Sequence, residues 1–460
     1  MKNHLLFMIA LAGIGSAAIA ADSTASDASN AIRVYDNVVF YDGYRMKDNP
    51  DSLISDGVLR HSCSLYSTKL TDAQLDAIGD KLDLNVFIKA CCDNYDRIGN
   101  INIAFVEKGA ESYDPDATPR IEIGRFITPF MNMNKEPNTV PYAYEMNYLS
   151  NLLRDADLRA KHDLWLEFEL FGIPYAANTQ IAGCAGRNDV FAGTLEFSTN
   201  EPAGPTHGNI LVPIVIKKPE YIGNNLNNYN EAATDTLGKT VKTYTYTVPE
   251  KVADAQLVLI TSNHGANANG EEYNRRNHFV YVDGELVLTY VPGRTSCEPF
   301  RKYNTQGNGI YGYSKMPDLV WQSFSNWCPG DVIDNRIINL GAYEAGEHTV
   351  MITVPDAKFA DSQGDIPVSL YFHGLKEGAF ESGVEEVTAA TTGVDIVNRG
   401  GLLYIDTEKD VRSVEVYTVG ADLVHRQWNK NPISLDSLSG IHVVSVELVD
   451  GHTINKKMIF

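Results

Sequence analysis

The chain has 460 residues, 44% of them hydrophobic, and its 59 acidic residues against 38 basic ones give a formal net charge of −21. This composition is typical of a globular protein with sizeable cores and argues against a disordered chain. The negative charge disfavours nucleic acid and anionic membrane surfaces as partners. The length predicts about three domains.

The first 20 residues have the pattern of a secretory signal peptide. Lys2 precedes an apolar run, and the run ends in the small-residue pattern Ala18-Ile19-Ala20. We expect cleavage after Ala20 and an exported protein that is periplasmic, on the cell surface or extracellular. No other stretch approaches the ~20 apolar residues of a membrane span, so stable membrane insertion is not expected.

Period-two apolar patterns predict a mostly antiparallel all-β protein of sandwich or jelly-roll type. Asp283-Gly284, between two such patterns, predicts a hairpin. Helical patterns are confined to 71–82 and 146–163. The strand patterns are LNVFIKA (84–90), INIAFVEKG (101–109), RIEIGRFITPF (120–130), LWLEFELFG (164–172), ILVPIVIKK (210–218), AQLVLITS (255–262), HFVYVDGELVLTYV (278–291), HTVMITV (348–354) and VSLYFHG (368–374).

Two changes of composition indicate domain boundaries. Residues 198–208 are rich in Pro and Gly, and residues 376–393 are acidic and rich in Thr and Ala. The predicted division is a signal peptide at 1–20, an N-terminal extension with a first β domain at 21–200, a second β domain at 204–378, a linker at 379–393 and a small C-terminal β-sandwich at 394–460.

Six cysteines follow the predicted cleavage site, and an even number in an exported protein predicts disulfides. Cys297 and Cys328 bracket a Gly/Tyr-rich loop, and we expect them to pair. The other four are Cys63, Cys91, Cys92 and Cys184. Adjacent cysteines do not easily reach disulfide geometry. We therefore expect Cys91 and Cys92 to reach different partners, with Cys63 and Cys184 as the candidates.

The stretch CCDNYDRIG (91–99) carries the first candidate site, where Asp93, Asp96 and Arg97 follow a predicted strand. An Arg keeps a neighbouring Asp ionised while partial burial raises its pKa, so the balance can tune a carboxyl for acid/base work. An Asx-rich turn fixed by a disulfide is the alternative. A metal site is not expected, because zinc needs about four Cys or His ligands and no His is nearby in the sequence.

The stretch HDLWLEFELFG (162–172) carries the second candidate. Alternation places Trp165, Glu167, Glu169 and Phe171 on one strand face, which we expect to be exposed. Aromatic rings beside carboxylates are typical of a sugar-binding surface. A solvated sheet face without a ligand is the alternative.

The third candidate is SNHGANANGEEYNRRNH (262–278), in which Glu271 and Glu272 follow a Gly/Asn-rich loop. A solvated charged loop is the alternative. Paired carboxylates serve glycoside hydrolysis and also water attack on amides, and spacing in sequence does not distinguish the two. The chain has no Gly-x-Ser-x-Gly, P-loop or dinucleotide motif.

Four segments together resemble the peptide-N-glycosidase F family of bacterial glycan amidases over roughly residues 80–355. They are CDNYDR, EIGRFITPF, GEEYNRRNHFVYVDGE and NWCPG. The resemblance implies two adjacent eight-stranded jelly rolls with the active site in the cleft between them. It also implies hydrolysis of the amide that joins an N-linked glycan to asparagine, without metal or cofactor, by an exported monomer that acts on N-glycosylated proteins or glycopeptides.

The resemblance also implies roles for individual residues. Asp96 matches the principal catalytic carboxylate, which acts on the attacking water and the leaving nitrogen. Glu272 matches a second carboxylate that assists from the other domain, and Glu169 a third that orients the core sugars. Asp93 and Arg97 match neighbours that bind the glycan and set the charge on Asp96.

Further positions are expected to bind substrate, and some depart from the family pattern. Phe171 and His264 stand in place of cleft tryptophans, and Tyr95 and Tyr273 flank the acids. Gly270 and Asn274 replace a short disulfide, and Phe324 stands near the place of a missing arginine. These departures leave the preferred glycan open, including core fucose. The alternatives are a non-catalytic N-glycan-binding double jelly roll and a glycoside hydrolase that uses the same acids.

Overall fold

The computed structural model describes residues 30–45, 54–199, 206–216, 226, 240–265, 271–306, 325–357, 365–376, 394–399, 402–418, 423–428, 432–434, 441–449 and 453–459. The predicted signal peptide and linker, Gly270 and Phe324 lie outside these residues.

The first unit is a pair of antiparallel sheets that share one core. Its sheet orders are β1-β9-β4-β7 and β6-β5-β8-β3-β2, and Phe40 and Phe168 meet edge to face between them at 5.0 Å. The strands are β1 Asn30–Tyr41, β2 Val58–Arg60, β3 Leu65–Lys69, β4 Leu82–Ala90, β5 Ile98–Glu107, β6 Arg120–Ile127, β7 Thr139–Glu145, β8 His162–Leu170 and β9 Asp189–Thr199.

The second unit repeats this arrangement with sheets β10-β18-β12-β16 and β11-β17-β13-β14 around a separate core. Asp283 and Gly284 have φ angles of 50° and 87°, as a tight hairpin turn between β13 and β14 requires, which confirms the predicted hairpin. The strands are β10 Asn209–Val215, β11 Val241–Val248, β12 Val252–Thr261, β13 His278–Val282, β14 Glu285–Tyr290, β15 Val332–Ile333, β16 Arg336–Tyr343, β17 Gly346–Thr353 and β18 Val368–Lys376.

The C-terminal unit is a small sandwich of a three-stranded and a four-stranded sheet, in the orders β19-β20-β23 and β22-β21-β24-β25. Both sheets contribute to its core. The strands are β19 Val394–Arg399, β20 Leu402–Thr407, β21 Val411–Thr418, β22 Leu423–Gln427, β23 Ile433–Ser434, β24 Ile441–Leu448 and β25 Thr453–Ile459.

The predicted fold class, two adjacent eight-stranded antiparallel jelly rolls with a small C-terminal sandwich, is confirmed. Two short strands, β2 and β15, extend the first jelly roll at the edges of one sheet. Strands β1, β3, β7, β9, β11 and β16 coincide with none of the quoted patterns. Among them, β11 alternates as clearly as the predicted strands, with every second residue towards its end buried.

The predicted helices are shorter than expected. They are α1 Asp72–Asp76, α2 Asn147–Arg154 and α3 Ala156–Lys161, with a further helix α4 Tyr175–Gln180. Asp155 separates α2 from α3 because its backbone is extended and its Oδ1 accepts the amide of Leu158 as an N-cap. No helix among the described residues is long and apolar enough to cross a membrane.

The jelly rolls are joined through the outer face of sheet β6-β5-β8. Strand β15, from the second unit's sequence, pairs with β6. The fully buried Arg125 on β6 donates from Nη1 to Ser262 Oγ at 2.8 Å and to the Pro367 carbonyl at 3.0 Å, across the interface. Its other nitrogens bind Glu122 at 2.8 Å, and Ser369 of the second unit also bonds to Glu122. This buried pair fixes one unit against the other.

The burial of strand β8 corrects one expectation. Its residues from Asp163 to Leu170 are all buried, so the face with Trp165, Glu167 and Glu169 is not exposed to solvent. Glu167 accepts from Asn102, Tyr113 and Arg120 at 2.9 Å each. Residues remote in sequence cover this face, and alternation alone does not show such a cover.

Candidate active site

The candidate catalytic loop joins β4 to β5 and is built around Asp93. This buried carboxylate accepts the amide of Tyr95 at 3.0 Å, the amide of Ile173 at 2.7 Å and Nε of Arg97 at 2.7 Å. Thr128, just beyond β6, accepts the Arg97 amide at 2.7 Å. The loop is therefore held at both ends, and Asp93 orients Arg97 and the backbone.

Asp96 is half-buried at the turn of this loop. Burial raises its pKa from 3.8 to about 6, and the neighbouring Arg97 guanidinium opposes the shift. The Arg97 guanidinium is already bound to Asp93, which limits what it offers to Asp96. The carboxyl is thus in a range where it can both take up and release a proton near neutral pH.

Glu272 approaches from the second jelly roll. Its Oε2 accepts the amide of Gly265 at 3.2 Å, and its carbonyl accepts Ser325 Oγ and Asn326 Nδ2, each at 2.8 Å. Burial and, next, the negative charge of Asp96 raise the pKa of Glu272 to about 7, and the Tyr273 hydroxyl opposes the shift. Two carboxyls from different units therefore act on each other electrostatically.

An apolar cluster explains why these two acids meet. It contains Phe130 and Ile127 from the first unit, and Trp327 with the Cys297–Cys328 disulfide from the second. Tyr95 and Tyr273, the neighbours of the two acids in sequence, both pack against it. Packing across the interface thus brings together the segments that carry the two acids, and their shared role in catalysis stays a prediction.

Glu169 belongs to a different part of the interface. It is buried on β8, and its register neighbours are Leu65 on β3 and Asn100 on β5. Asn100 Nδ2 in turn donates to Glu122 at 2.6 Å. Glu169 thus lies on the face that carries the Glu122–Arg125 pair, and its role in orienting sugars stays a prediction.

The two residues expected in place of cleft tryptophans have distinct surroundings. Phe171 follows β8 and meets Tyr44 edge to face, with 5.4 Å between ring centroids. His264 Nε2 lies 2.8 Å from Ser262 Oγ, and its ring centroid is 6.2 Å from that of Trp327. His264 is therefore connected to Arg125 through one serine, a link that sequence reasoning missed.

The disulfides agree with the expected pattern in part. Cys297–Cys328 is confirmed, and Cys92 pairs with Cys184. The expectation that Cys91 also forms a disulfide, with Cys63 as partner, is wrong for this structure, because both remain thiols. Burial raises the pKa of Cys91 to about 12. One disulfide, not two, fixes the candidate catalytic loop.

Other residues of the site carry no sequence signal of their own. Asn326 Nδ2 binds the carbonyls of Glu271, Glu272 and Asn274, and so shapes the segment that presents Glu272. It lies in the quoted NWCPG stretch, but only the structure shows its contacts. Within the described ranges, no group of three or more His, Cys, Asp or Glu side chains is arranged to hold a metal ion.

Comparison with known proteins gives family and fold. The family model described as peptide-N-glycosidase F, N terminal, matches residues 31–185, and the one described as peptide-N-glycosidase F, C terminal, matches residues 228–373. The two models together match more than half of the chain. No curated protein sequence matches it.

The solved structure of PNGF-II supports the same fold. PNGF-II aligns with a TM-score of 0.54 at 19% identity over 76% of this chain and 66% of that one, so this chain spans just under two thirds of PNGF-II. PNGase F, a glycosylasparaginase from Flavobacterium meningosepticum, aligns with a TM-score of 0.47 at 17% identity over 76% and 96%. On the strength of the two family models, this chain belongs to the peptide-N-glycosidase F family.

Proposed function

We propose that the protein is an exported amidase that hydrolyses the bond between an N-linked glycan and asparagine, with N-glycosylated proteins or glycopeptides as substrates. The observation that carries this proposal is the pair Asp96 and Glu272, two carboxyls from different jelly rolls whose pKa values rise to about 6 and about 7. Near neutral pH, such a pair holds one proton that it can shift during the reaction.

Amide hydrolysis needs a base for water and an acid for nitrogen, and Asp96 supplies both in turn while Glu272 assists. In the ionised form, Asp96 accepts a proton from water as the oxygen attacks the amide carbon. The C–N bond then breaks, and the nitrogen takes that proton and leaves as a glycosylamine. The asparagine side chain becomes the carboxyl of aspartate. Glu272 keeps a proton at this pH and stabilises the developing charge by hydrogen bonding.

The surrounding residues position this chemistry. The Arg97 guanidinium is fixed by Asp93 and lies over the Tyr95 ring, 5.4 Å from its centroid. A fixed guanidinium beside Asp96 favours the ionised form that the attack on water requires. Glu169, on the shared interface, is proposed to hold the core sugars. Membership of the family and its N- and C-terminal models support the assignment as a whole.

Mass spectrometry of one N-glycopeptide before and after incubation tests the proposal. We expect release of the intact glycan and conversion of Asn to Asp, which changes the peptide mass. We expect Asp96→Asn to lose roughly 10²–10⁴-fold in rate, the range that general acid/base catalysis contributes. Asp83→Asn, an exposed position on the preceding strand β4, is the matched control and should retain activity.

Other products would separate the alternatives. Cleavage between two sugars, with one sugar left on asparagine, would identify a glycoside hydrolase. Glycan binding by the wild-type protein without release would identify a binding protein. Undiminished amide cleavage by Asp96→Asn would remove Asp96 from the mechanism.

A further inference from the structure

Exposed aromatic side chains cluster beside the candidate active site. Among the described residues, three aromatic side chains are largely exposed: Tyr44 at 64%, Tyr175 at 61% and Trp428 at 67%. Two of the three, Tyr44 and Tyr175, stack with a centroid separation of 6.2 Å and an interplanar angle of 23°. Tyr44 also rests edge to face on Phe171. Such a concentration of exposed apolar surface marks an interaction site.

The backbone around these rings holds them in place. Tyr44 lies in a short 3-10 turn, where the Gly43 amide donates to the Gly172 carbonyl at 2.9 Å. A Cβ at Gly43 would lie 2.3 Å from the Phe171 ring, so this close approach requires glycine. The Tyr44 amide donates to Asp42 Oδ1 at 3.1 Å. The ring is therefore presented on a supported turn.

Tyr175 is supported from a second direction. It is the first residue of α4, whose C-terminal side leads to the Cys92–Cys184 disulfide. Asn178 Nδ2 donates to the carbonyl of Cys184 at 2.7 Å, which ties this short helix to the loop after it. Preorganised aromatic surfaces bind with little loss of side-chain freedom.

The same contacts connect the two tyrosines to the candidate catalytic loop. Asp93 accepts from Ile173, two residues before Tyr175, and from Arg97 on the other side. Tyr44 also lies close enough to Arg97, the neighbour of Asp96 in sequence, to affect its pKa. The platform formed by Tyr44 and Tyr175 thus lies next to segments that hydrogen-bond to Asp93, the carboxylate that orients the candidate catalytic loop. The two rings are exposed to solvent.

We infer that Tyr44 and Tyr175 form a stacking subsite for a pyranose ring of the bound glycan, beyond the sugars next to the cleaved bond. The apolar C–H face of a pyranose fits an aromatic face, and phenol hydroxyls at the ring edge can bind sugar hydroxyls. Two rings are too small for a stable protein interface, which buries about 800 Å² per partner. Both tyrosines are more exposed than the half-buried Asp96, so we expect them to contact sugars in the outer part of the glycan.

This inference rests on the proposed amidase function, and a ratio of rates tests it. One glycopeptide carries an extended N-glycan, and a second carries only the two core N-acetylglucosamines on the same peptide. We measure kcat/KM for both with wild type, Tyr44→Ala and Tyr175→Ala. The ratio of kcat/KM for the extended substrate to kcat/KM for the short one should fall about tenfold for each variant, as the loss of one ring–ring contact of this kind implies. Partial misfolding cancels in the ratio.

Conservative and distant variants complete the test. Tyr44→Phe keeps the ring and should keep most of the ratio, whereas Trp428→Ala removes the exposed aromatic of the C-terminal unit and should leave it unchanged. An unchanged ratio in both alanine variants overturns the subsite. A fall that is equal for the two substrates also overturns it, because the rings would then serve the core sugars.

A binding measurement separates this inference from the proposed reaction. The free extended glycan is titrated into Asp96→Asn and into Asp96→Asn combined with Tyr44→Ala, by calorimetry. Weaker binding by the double variant supports the subsite even if the wild-type protein releases no glycan. Equal affinity of the two variants for the glycan contradicts the subsite even if the wild-type protein is an active amidase.

Discussion

Buried carboxylates occur in two regions of this molecule, and their partners differ. On the outer face of the first jelly roll, Glu122 accepts from Nε and Nη2 of Arg125 and from Asn100. Glu167 accepts from Arg120, Asn102 and Tyr113. In the candidate active site, Glu272 accepts the Gly265 amide and lies near a second carboxyl, Asp96, whose charge raises its pKa.

The difference separates structural from chemical acids. A buried carboxylate with a paired cation and further hydrogen bonds is compensated, and it fixes the geometry of an interface. A buried carboxyl near a half-buried one is not compensated in this way, so the pKa values of both rise and they compete for one proton. Groups of the second kind occur at functional sites because folding alone gives no reason to retain them.

Two adjacent glutamates make the sharpest test of this comparison. Glu271 accepts from Nε and Nη2 of Arg276 at 3.0 and 3.1 Å, whereas the pKa of Glu272 is raised by burial and by the charge of Asp96. We expect Glu272→Gln to lose roughly 10²–10⁴-fold in kcat/KM without any loss of stability, because folding raises the pKa of Glu272 and its charge opposes folding above neutral pH. Glu271→Gln should lower the free energy of unfolding instead. Steady-state rates and thermal unfolding of both variants check this, and the reverse pattern would contradict the assignment.

The pH dependence of Glu272→Gln gives a second test. Wild-type kcat/KM should follow a bell with limbs near the pKa values of about 6 and about 7, because Asp96 acts ionised and Glu272 acts protonated. In Glu272→Gln, we expect the alkaline limb to disappear while the acidic limb remains. A profile that keeps both limbs would remove Glu272 from the titration.

The compensated pair at the interface should behave in the opposite way. Arg125→Met leaves Glu122 buried without its cation, and breaking a buried pair in this way destabilises by about 3–5 kcal/mol. The double variant Arg125→Met with Glu122→Gln removes the charge and should recover part of that loss. Denaturant unfolding measures both.

We expect the loss of the Arg125–Glu122 ion pair to lower activity as well as stability. Since Ser262 links Arg125 to His264, the single variant should also lower activity at temperatures where it remains folded. Equal stability of single and double variants would show that the pair is not compensated as described.

Much of the fold was predictable from the sequence because the alternation of apolar and polar residues along a strand is a local pattern. Strands β4, β5, β8, β12 and β18 lie where alternation places them. The accessibility of β8 was not predictable, since alternation shows which side chains share a face but not what covers it. Its cover includes Tyr113, far from β8 in sequence.

The candidate site was also predictable only in part. Asp96 and Glu272 were found through their resemblance to a family, and the structure shows that they influence each other across the interface. The residues that hold their segments, such as Asn326 and Thr128, act through contacts between distant segments. The state of Cys63 and Cys91 likewise depends on three-dimensional placement, which spacing in sequence does not fix.

The smallest effect we expect is a gain in stability from Asp96→Asn. Folding raises the pKa of Asp96 from 3.8 to about 6, so the native state holds a proton that the unfolded chain releases between these pH values. The free energy of unfolding therefore falls as pH rises through this window, and the loss is complete above it. Each pKa unit corresponds to about 1.4 kcal/mol, and partial exposure of Asp96 reduces this, so a gain of roughly 1–3 kcal/mol is expected at pH 8.

Thermal unfolding at several pH values measures this gain. Asparagine does not titrate, so Asp96→Asn should melt a few degrees above wild type at pH 8 and show no such advantage near pH 4, where the wild-type carboxyl is already protonated in the folded state. Asp83→Asn, on the exposed side of β4, is the control and should melt close to wild type. A variant that melts below wild type at pH 8 would mean that Asp96 is compensated like Glu122, and the distinction between the two kinds of buried acid would fail at its central residue.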